Sequence, residues 1–544
     1  MTVSSSAVSV KPTERVEDSG PALEPRTPRK WLITIAVMVG AMMEVLDTSI
    51  VNVSLPHMQG SFSASVDEIT WVLTSYLVAN AIMIPATGWI SSRLGRKRHF
   101  VASVVVFVVA SGLCGAARTL PQMVVFRLIQ GGAGAAMIPS SQSILMETFP
   151  PSEHGLAMSM WGIGMLIAPM LGPTLGGWIT ENWTWRWNFY INLPVGTLAA
   201  ILVYLFVHDP DYMRKARTAV RRIDYLAFVY LILGFGALQI VLDRGQRADW
   251  FAAPWVWAFT AIAAVALIML VVHETRFPEP ILDLRILSIA QFDLSVMIVM
   301  AMMVVIYGLN ILNPLFFQTL MGYTPWKSGL AVAPRGIGTM AGMLCVAQFS
   351  RRGIDTRIFV GMGFAILGYS LLWMSDWDLG ISLSVVVFPM ILSGLGSGLI
   401  FPILSASALT WVERERMVYA ASLYNMMRNT GSAIGISIVT NLLNSRLQVH
   451  QAYLGAHFTV FEAWRLDNAA PSRMSGAPSF NLIHGLRVNH LQGFAVAYHT
   501  IQQQASLLAY NDVYRILAVM AVIFMPAFIF LKPRKRAAGE IAAH

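Results

Sequence analysis

The sequence predicts an all-α integral membrane protein with about 14 transmembrane helices. Of its 544 residues, 56% are hydrophobic and 12% are charged, and a soluble domain carries about twice that charged fraction. The mean hydropathy is +0.60. Apolar runs of roughly 18–25 residues recur along the chain, and each is long enough to cross a hydrocarbon core about 30 Å thick. We expect these runs to be helices, because a helix satisfies its own backbone hydrogen bonds in lipid.

About fourteen runs meet this length criterion. Two of them separate two groups of six, and an even total puts both termini on the same side of the membrane. We place the predicted spans at 31–55, 70–91, 101–119, 121–148, 155–179, 188–207, 223–242, 254–272, 291–318, 328–349, 358–375, 382–410, 417–443 and 511–531.

The 38 Lys and Arg residues predict the orientation of the chain. Sorted by the loops between predicted spans, 25 lie on the side of the N-terminus and 5 lie in the short loops of the other side. Cytoplasmic loops of membrane proteins carry such an excess of Lys and Arg. The sequence therefore predicts a multi-pass membrane protein with both termini in the cytoplasm. This distribution accounts for the formal charge of +9 without a nucleic-acid partner.

A weak internal repeat divides the chain into two six-helix halves. The second predicted span of each half is followed by Ser-Arg, at Ser92 and Ser350, and the fourth span of each half is glycine-rich before a proline, at Pro139 and Pro402. Duplicated halves are typical of carriers that bind substrate near the middle of the bilayer. The predicted organisation is a disordered cytoplasmic tail at 1–30, an N-terminal six-helix half at 31–207, two additional helices with cytoplasmic linkers at 208–285, a C-terminal six-helix half at 286–531 with a long periplasmic loop at 444–510, and a basic cytoplasmic tail at 532–544.

The first predicted span contains two carboxylates, Glu44 and Asp47. Each costs about 2.5–3.5 kcal/mol to insert, so an intramembrane carboxylate is a functional candidate by default. Residues three apart lie on one side of a helix, and neighbouring carboxylates exchange protons as a coupled pair. A proton-coupled carrier needs such groups, whereas a polar pair that only packs helices is the structural alternative. Arg127, in the glycine-rich fourth span, is the predicted counter-charge.

Two further cations inside predicted spans, Arg335 and Arg428, are candidates for contact with an anionic group of a substrate. The alternative is that they anchor helix ends by extending toward the membrane surface. The candidate substrate contacts are Asn52, Arg335, Asn425 and Arg428.

The fifth predicted span is rich in glycine and proline. Small residues at intervals of four let helices approach closely, and proline removes a backbone hydrogen bond and bends a helix. Such a helix is suited to opening or closing a path, and tight packing alone is the other interpretation. Its residues of this kind are Gly162, Gly164, Pro169, Gly172, Pro173, Gly176 and Gly177.

The segment 444–510 is the only long predicted loop. It holds five of the 11 histidines, at positions 450, 457, 484, 490 and 499, but their spacing is irregular and no cysteine is near, so we predict no metal site. Its last part, 493–510, has helical character and extends the final span outward. A docking surface for a periplasmic partner and a mobile loop are both compatible with this composition.

Motifs for enzymatic chemistry are missing from the sequence. It contains no Gly-x4-Gly-Lys-Ser/Thr phosphate loop and no His-Glu-x-x-His zinc motif, and its serines lie in no nucleophile-elbow pattern. We therefore expect no enzyme activity and no cofactor, with a proton gradient as the energy source.

Several segments resemble the major facilitator superfamily, and specifically its 14-span EmrB/QacA-type drug:proton antiporter branch. The resemblance covers about 31–531. It is carried by 46–56 (LDTSIVNVSLP), 88–97 (GWISSRLGRK), 127–131 (RLIQG) and 168–177 (APMLGPTLGG), with support from 188–196 (NFYINLPVG) and 242–245 (LDRG).

The resemblance implies a major facilitator fold of two six-helix halves plus two extra central helices. It implies a gating loop at Gly88, Arg93, Gly95 and Arg96, although the family usually has Asp at the position of Ser92. It further implies an antiporter signature in the fifth span, and a periplasmic membrane-fusion adaptor with an outer-membrane channel as partners besides membrane lipid and small-molecule substrates.

The expected function is proton-coupled export of lipophilic or amphipathic compounds across the cell's inner membrane, as in multidrug efflux. Asp47, with Glu44, would exchange protons, and Arg127 would tune that site. The first alternative is export of organic anions such as fatty or aromatic acids, which Arg335 and Arg428 favour. A non-transporting membrane receptor and a facilitated importer are further alternatives.

Overall fold

The computed structural model describes residues 27–150, 153–208, 224–245, 248–277, 280–351, 355, 357–457 and 490–531. Within these ranges the secondary structure is helical, as predicted, and no strand occurs. Residues 1–26 of the tail predicted at 1–30, the predicted tail at 532–544 and the linker residues 209–223 lie outside the described residues, whereas 27–30 belong to the first helix rather than to a disordered tail.

The N-terminal half contains six membrane-crossing helices. The fourth has a break at Ala135 and Ala136, between Leu120–Gly134 and Met137–Thr148, and a single turn, Trp187–Tyr190, precedes the sixth. The helices are α1 (Thr27–Phe62), α2 (Trp71–Leu94), α3 (Arg96–Ala116), α4 (Leu120–Thr148), α5 (His154–Asn182) and α6 (Asn192–Phe206).

Two inserted helices follow, and then the C-terminal half. The inserted α7 packs against α2, and α8 packs against α7. The remaining helices are α7 (Tyr225–Arg244), α8 (Pro254–Arg276), α9 (Ala290–Leu315), α10 (Pro325–Arg351), α11 (Arg357–Met374), α12 (Leu383–Thr410), α13 (Met417–His457) and α14 (His490–Phe524).

Within the described ranges, 13 helices are long and apolar enough to cross a membrane. The remaining predicted span, 417–443, corresponds to α13, a helix of 41 residues that packs against α2, α9 and α14. Its inner part carries Asn425, Arg428 and Asn429, which lower its hydropathy. All fourteen predicted spans are therefore helices.

The predicted loop at 444–510 is wrong at its start, whereas the helical extension of the final span that was expected at 493–510 is confirmed. Helix α13 continues to His457, and α14 begins at His490 rather than near 511, with 458–489 outside the described residues. The two extensions contact each other, because His450 Nε2 lies 2.8 Å from Asp512 Oδ2. The extension of α13 was not predicted, because its polar side chains obscure the apolar period of a membrane-spanning helix.

Side-chain contacts identify which helix ends share a face of the bundle. Lys30 bonds to Glu153 at 2.7 Å, and Arg96 pairs with Glu147 at 2.5 Å, so the start of α1, the start of α3, the end of α4 and the start of α5 lie together. We call this the basic face, and the other end of the bundle the opposite face.

Glycines set the closest helix contacts, and the same contacts occur in both halves. A Cβ on Gly131 of α4 would meet the backbone of Tyr76 on α2, and a Cβ on Gly394 or Gly398 of α12 would meet the backbone of Arg335 or Thr339 on α10. The α2–α4 crossing thus has its counterpart in α10–α12. Small residues at these positions let backbones approach closely in membranes.

A second pair of crossings repeats in the same way. A Cβ on Gly172 or Gly176 of α5 would meet Ser49 or Ile50 on α1, and a Cβ on Gly431 or Gly435 of α13 would meet Met300 or Val304 on α9. The internal repeat that the sequence suggested from two short segments is therefore a repeat of helix packing.

The two halves close against each other at the basic face. Uninterrupted buried runs occur there in five helices, at 84–89, 139–146, 156–159, 396–405 and 420–426. Hydrogen bonds join the halves between Ser92 and Tyr419 at 2.9 Å, and between Asn425 and Gln142 at 2.5 Å. Nearer the centre the Trp161 and Phe401 rings stack with centroids 6.0 Å apart.

A glycine substitution tests this packing. We expect Gly398→Ala to lower stability by about 1–3 kcal/mol, because its methyl group would overlap the Thr339 carbonyl and force α10 and α12 apart. The matched control is Gly329→Ala on α10, where nothing lies within 4 Å. Thermal unfolding of the purified protein in detergent measures both. Equal melting temperatures for the two variants would contradict the role assigned to the α10–α12 crossing.

Candidate functional site

Asp47 lies at the centre of a buried polar network in the N-terminal half. Its Oδ2 accepts a hydrogen bond from Arg127 Nη1 at 2.6 Å, and its Oδ1 accepts bonds from Gln130 Nε2 at 2.9 Å and Asn192 Nδ2 at 2.7 Å. Asp47, Arg127 and Gln130 are 0% exposed. Three donors from α4 and α6 thus hold one ionised carboxylate of α1, the arrangement that keeps a buried charge tolerable.

Arg127 is fixed by more than its ion pair. Its Nε donates to the Val72 carbonyl oxygen at 3.2 Å, and its Nη1 also donates to Gln130 Oε1 at 2.8 Å. The guanidinium carbon lies 4.2 Å from the centre of the Tyr76 ring, within the range of a cation–π contact. Helices α1, α2 and α4 therefore converge on this guanidinium.

Glu44, one turn nearer the basic face, has a different environment. Asn80 Nδ2 donates to its Oε1 at 2.9 Å, whereas Oε2 accepts no hydrogen bond of ordinary geometry from a described residue. Glu44 is 5% exposed. Arg428 on α13 acts on it electrostatically across the interface between the halves. Glu44 is thus a buried carboxylate with one bonded oxygen, placed where the two halves meet.

The two carboxylates share a side of α1 but not their partners. Asp47 contacts α4 and α6, whereas Glu44 contacts α2 and lies against Gly134 of α4, where a Cβ would come within 3.3 Å of Glu44 Cγ. The structure thus separates the predicted pair into a fully bonded member and a partly bonded one.

The predicted gating loop lies at the basic face. Arg96 pairs with Glu147, and the guanidinium of Arg93 lies 4.1 Å from the Trp89 ring centre. Gly95 has φ of +87°, a conformation that favours glycine. A Cβ on Gly88 would meet Tyr419 of α13, so Gly88 lies where the two halves touch.

Ser92 replaces the Asp that the resemblance leads one to expect. Its hydroxyl lies 2.9 Å from the Tyr419 hydroxyl, so the two side chains bond across the halves. The contact is between neutral groups, and breaking it separates no charges.

The fifth-span signature packs directly beside Asp47. Ser49 Oγ donates to the Pro169 carbonyl oxygen at 3.2 Å, and Gly172 and Gly176 lie against Ser49 and Ile50. A Cβ on Gly177 would lie 3.8 Å from the Val53 side chain. The Pro173 side chain is outside the described set. Any movement of α5 relative to α1 therefore acts on the segment that carries Asp47.

The candidate substrate contacts are not brought together into one site. Asn52 is exposed on the opposite-face half of α1, and Asn425 is buried against Gln142. Arg335 donates to Asn310 Oδ1 at 2.6 Å within the C-terminal half. Arg428 is half-buried at the interface near Glu44. Of the four, Arg428 is the one that lies between the halves next to a candidate proton site.

Four site residues were missed by reasoning from the sequence: Tyr76, Asn80, Gln130 and Asn192. Asn80 and Asn192 hold Glu44 and Asp47 in place, and Gln130 bridges Asp47 and Arg127. Neutral amides inside spans were the available signal, because a buried amide needs a partner.

The outward histidines form no cluster that could hold a metal within the described ranges. His450 bonds to Asp512, and His499 is exposed. His484 and the side chains of His457 and His490 lie outside the described set.

Comparison with known proteins identifies the family of this fold. The family model described as Major Facilitator Superfamily matches residues 37–436. The fatty acid resistance protein FarB of Neisseria gonorrhoeae is 32% identical over 507 residues, 93% of this chain and 97% of FarB. The multidrug export protein EmrB of Escherichia coli K12 is 31% identical over 509 residues, 93% of this chain and 96% of EmrB.

A solved structure shares the fold at low sequence identity. The crystal structure of the human organic anion transporter MFSD10 superposes with a TM-score of 0.58 at 12% identity, covering 90% of this chain and 99% of MFSD10. Together with the fourteen helices and their repeated crossings, these matches show that the chain belongs to the Major Facilitator Superfamily, in the branch that contains FarB and EmrB.

Proposed function

We propose that this protein exports lipophilic or amphipathic compounds across a cell inner membrane in exchange for protons. The observation that carries the proposal is Glu44, a buried carboxylate that accepts a hydrogen bond from Asn80 and on which Arg428 of the other half acts electrostatically. Binding a proton neutralises Glu44 and removes its attraction to Arg428. The charge interaction between the halves thus depends on protonation, as an antiporter requires.

Asp47 and Arg127 have the positioning role in this proposal. With three donors on Asp47, protonation there would break a bonded ion pair, whereas protonation of Glu44 disturbs one amide bond. We assign proton exchange to Glu44 and the maintenance of the α1–α4–α6 arrangement to Asp47 and Arg127. Because α5 packs on α1 beside Asp47, a change at Glu44 has a direct mechanical route to α5.

The basic face is assigned to the cytoplasm because of its excess of Lys and Arg. The contacts between the halves at that face then close the cytoplasmic side, and the conformation faces outward. Alternating access would open this side while the opposite side closes. The gating loop, with Gly88 against Tyr419, belongs to the surface that must separate.

Partners are proposed on the opposite face. Helices α13 and α14 extend beyond the apolar layer there, joined by His450 and Asp512. We propose that this two-helix extension contacts a periplasmic membrane-fusion adaptor, which would lead exported compounds to an outer-membrane channel. The two-helix extension of α13 and α14 supports this proposal. The expectation of an adaptor comes from the resemblance to the EmrB/QacA-type branch.

Export of organic anions is the second candidate function. Arg428 is half-buried between the halves, where an anionic group could replace Glu44 as its electrostatic partner. The name of the related FarB, a fatty acid resistance protein, agrees with this candidate.

The first test is Glu44→Gln in inverted membrane vesicles. We expect this substitution to abolish uptake of a lipophilic dye driven by a proton gradient while leaving dye exchange without a gradient intact, because the amide keeps the Asn80 contact but binds no proton. Glu181→Gln, at an exposed position, is the matched control. Gradient-driven uptake by the Glu44 variant at the wild-type rate would remove Glu44 from the mechanism.

The second test separates positioning from proton exchange. Asp47→Asn should lower stability by about 3–5 kcal/mol, because it leaves the buried Arg127 without its counter-charge. The double variant Asp47→Leu with Arg127→Met removes both charges and should recover most of that loss without recovering transport. Thermal unfolding in detergent and vesicle uptake report the two properties. A fully stable Asp47→Asn protein with lost coupling would instead assign proton exchange to Asp47.

The third test decides between substrate classes. If anions are exported, Arg428→Gln should raise the KM for a fatty acid roughly ten- to hundredfold, the effect of losing a bond of about 1.5–3 kcal/mol to a charged group. Uptake of a cationic dye should be unaffected. The control is Arg335→Gln, because the guanidinium of Arg335 bonds to Asn310 within the C-terminal half. Unchanged fatty acid transport in the Arg428 variant would exclude this residue from anion recognition.

A further inference from the structure

The inserted helix α7 lies over the seam between the two halves. It packs against α2 of the N-terminal half and against α13 of the C-terminal half. A narrow crevice lies between the three helices, and its α7 wall includes Phe235, Gln239 and Leu242, which share one side of that helix. Ile84 of α2 and Asn429 of α13 line the other walls. The crevice is therefore located where both halves and the insertion meet.

The crevice adjoins the Glu44 site. Ala81 of α2, a further lining residue, directly follows Asn80, which donates a hydrogen bond to Glu44. On α13, Asn429 directly follows Arg428, which acts on Glu44 electrostatically. The crevice and the candidate proton site thus share the same turns of α2 and α13.

Two amide side chains give the crevice its chemistry. Gln239 and Asn429 are both half-buried, and neither side chain has a hydrogen-bond partner among the described residues. Both lie within helices that cross the membrane, where a polar group without a partner is costly. An amide offers a carbonyl acceptor and N–H donors. The pair is therefore able to bond either a donor or an acceptor of a bound molecule.

The remaining crevice wall is largely apolar. Phe235, Leu242, Ile84 and Met426 line it, and the Thr430 hydroxyl already donates to the Met426 carbonyl oxygen at 2.9 Å. The cavity volume is about 20 Å³, which is room for one small polar group. A compound held here would insert a single hydrogen-bonding group and leave its larger apolar part outside the crevice.

Helix α7 is attached to the N-terminal half near both of its ends. Thr74 Oγ1 of α2 donates to Asp243 Oδ2 of α7 at 2.5 Å. Toward the basic face, the ring centroids of Phe228 on α7 and Trp89 on α2 lie 5.4 Å apart. A movement of one half relative to the other would therefore keep α7 with α2 and change its distance from α13. The width of the crevice would change with it.

We propose that this crevice is a subsite for the hydrogen-bonding group of an amphipathic compound, with Gln239 and Asn429 as the residues that bind it. The proposal rests on the proposed function, because it places the compound in the same transport cycle. A compound bound here lies beside Arg428, whose interaction with Glu44 depends on protonation. The insertion then contributes to substrate recognition as well as to packing.

The experiment measures binding of two lipophilic cations to the purified protein in detergent, without a proton gradient. Rhodamine 6G carries N–H donors and an ester carbonyl, whereas tetraphenylphosphonium has no hydrogen-bonding group. We expect Gln239→Leu and Asn429→Leu each to raise the Kd of rhodamine 6G about three- to tenfold, the effect of losing one neutral hydrogen bond. The Kd of tetraphenylphosphonium should stay at the wild-type value.

Thermal unfolding separates this role from a packing role. Because the two amides have no described partner, their replacement by leucine should leave the melting temperature unchanged or raised while rhodamine 6G binding weakens. Gln239→Met, which keeps the length of the side chain, replaces the leucine variant if that variant folds poorly. Thr430→Val, in the same crevice, removes a hydroxyl that is already bonded and should keep the wild-type Kd.

Two results would overturn the proposal. One is a wild-type Kd for rhodamine 6G in both the Gln239 and the Asn429 variants. The other is an equal loss of affinity for rhodamine 6G and tetraphenylphosphonium, because the substitutions would then act through the shape of the protein and not through hydrogen bonds.

The outcome is separable from that of the proposed function. Weaker rhodamine 6G binding by the variants of a protein that moves no dye along a proton gradient would support the subsite and contradict antiport. Gradient-driven dye uptake by the wild type, together with an unchanged Kd in both variants, would contradict the subsite alone.

Discussion

The ion pair between Asp47 and Arg127 is completely buried, and the arrangement of the N-terminal half depends on it. Removing such charges from water costs several kcal/mol for each ion, which their attraction offsets only if other hydrogen bonds complete the site. Gln130, Asn192 and the Val72 carbonyl complete it here, so α1, α2, α4 and α6 must keep their relative positions. Such a core suits a half that moves as one body.

The helix crossings at glycines in the N-terminal half have counterparts in the second half. The α1–α5 and α2–α4 contacts recur as α9–α13 and α10–α12, each with a glycine against backbone or a short side chain of its neighbour. At the described positions of the second half, Arg335 bonds to the neutral Asn310 rather than to a carboxylate. The packing is therefore duplicated while the charges are not. Glu44, the proposed proton site, lies in the N-terminal half.

Much of the fold and of the candidate site could be predicted from the sequence. A membrane-spanning helix depends on a local apolar run, and a charge inside a span is costly enough to require a partner. Apolar runs gave the spans, and two charges inside spans, Asp47 and Arg127, had to find a partner. The partners of Glu44 could not be predicted, because Asn80 and Arg428 lie on distant segments and only the packing of α2 and α13 brings them near. The extension of α13 was missed because its polar composition resembles that of a loop, whereas the extension of α14 was expected from the helical character of 493–510.

In the proposed antiport cycle, substrate and proton compete through Glu44. Proton release on substrate binding tests it most directly, measured for the purified protein in detergent by calorimetry in buffers of different ionisation enthalpy. We predict that the wild type releases a proton when a lipophilic substrate binds and that Glu44→Gln binds the same substrate without release. Equal release by the two proteins, or none by the wild type, would contradict the account.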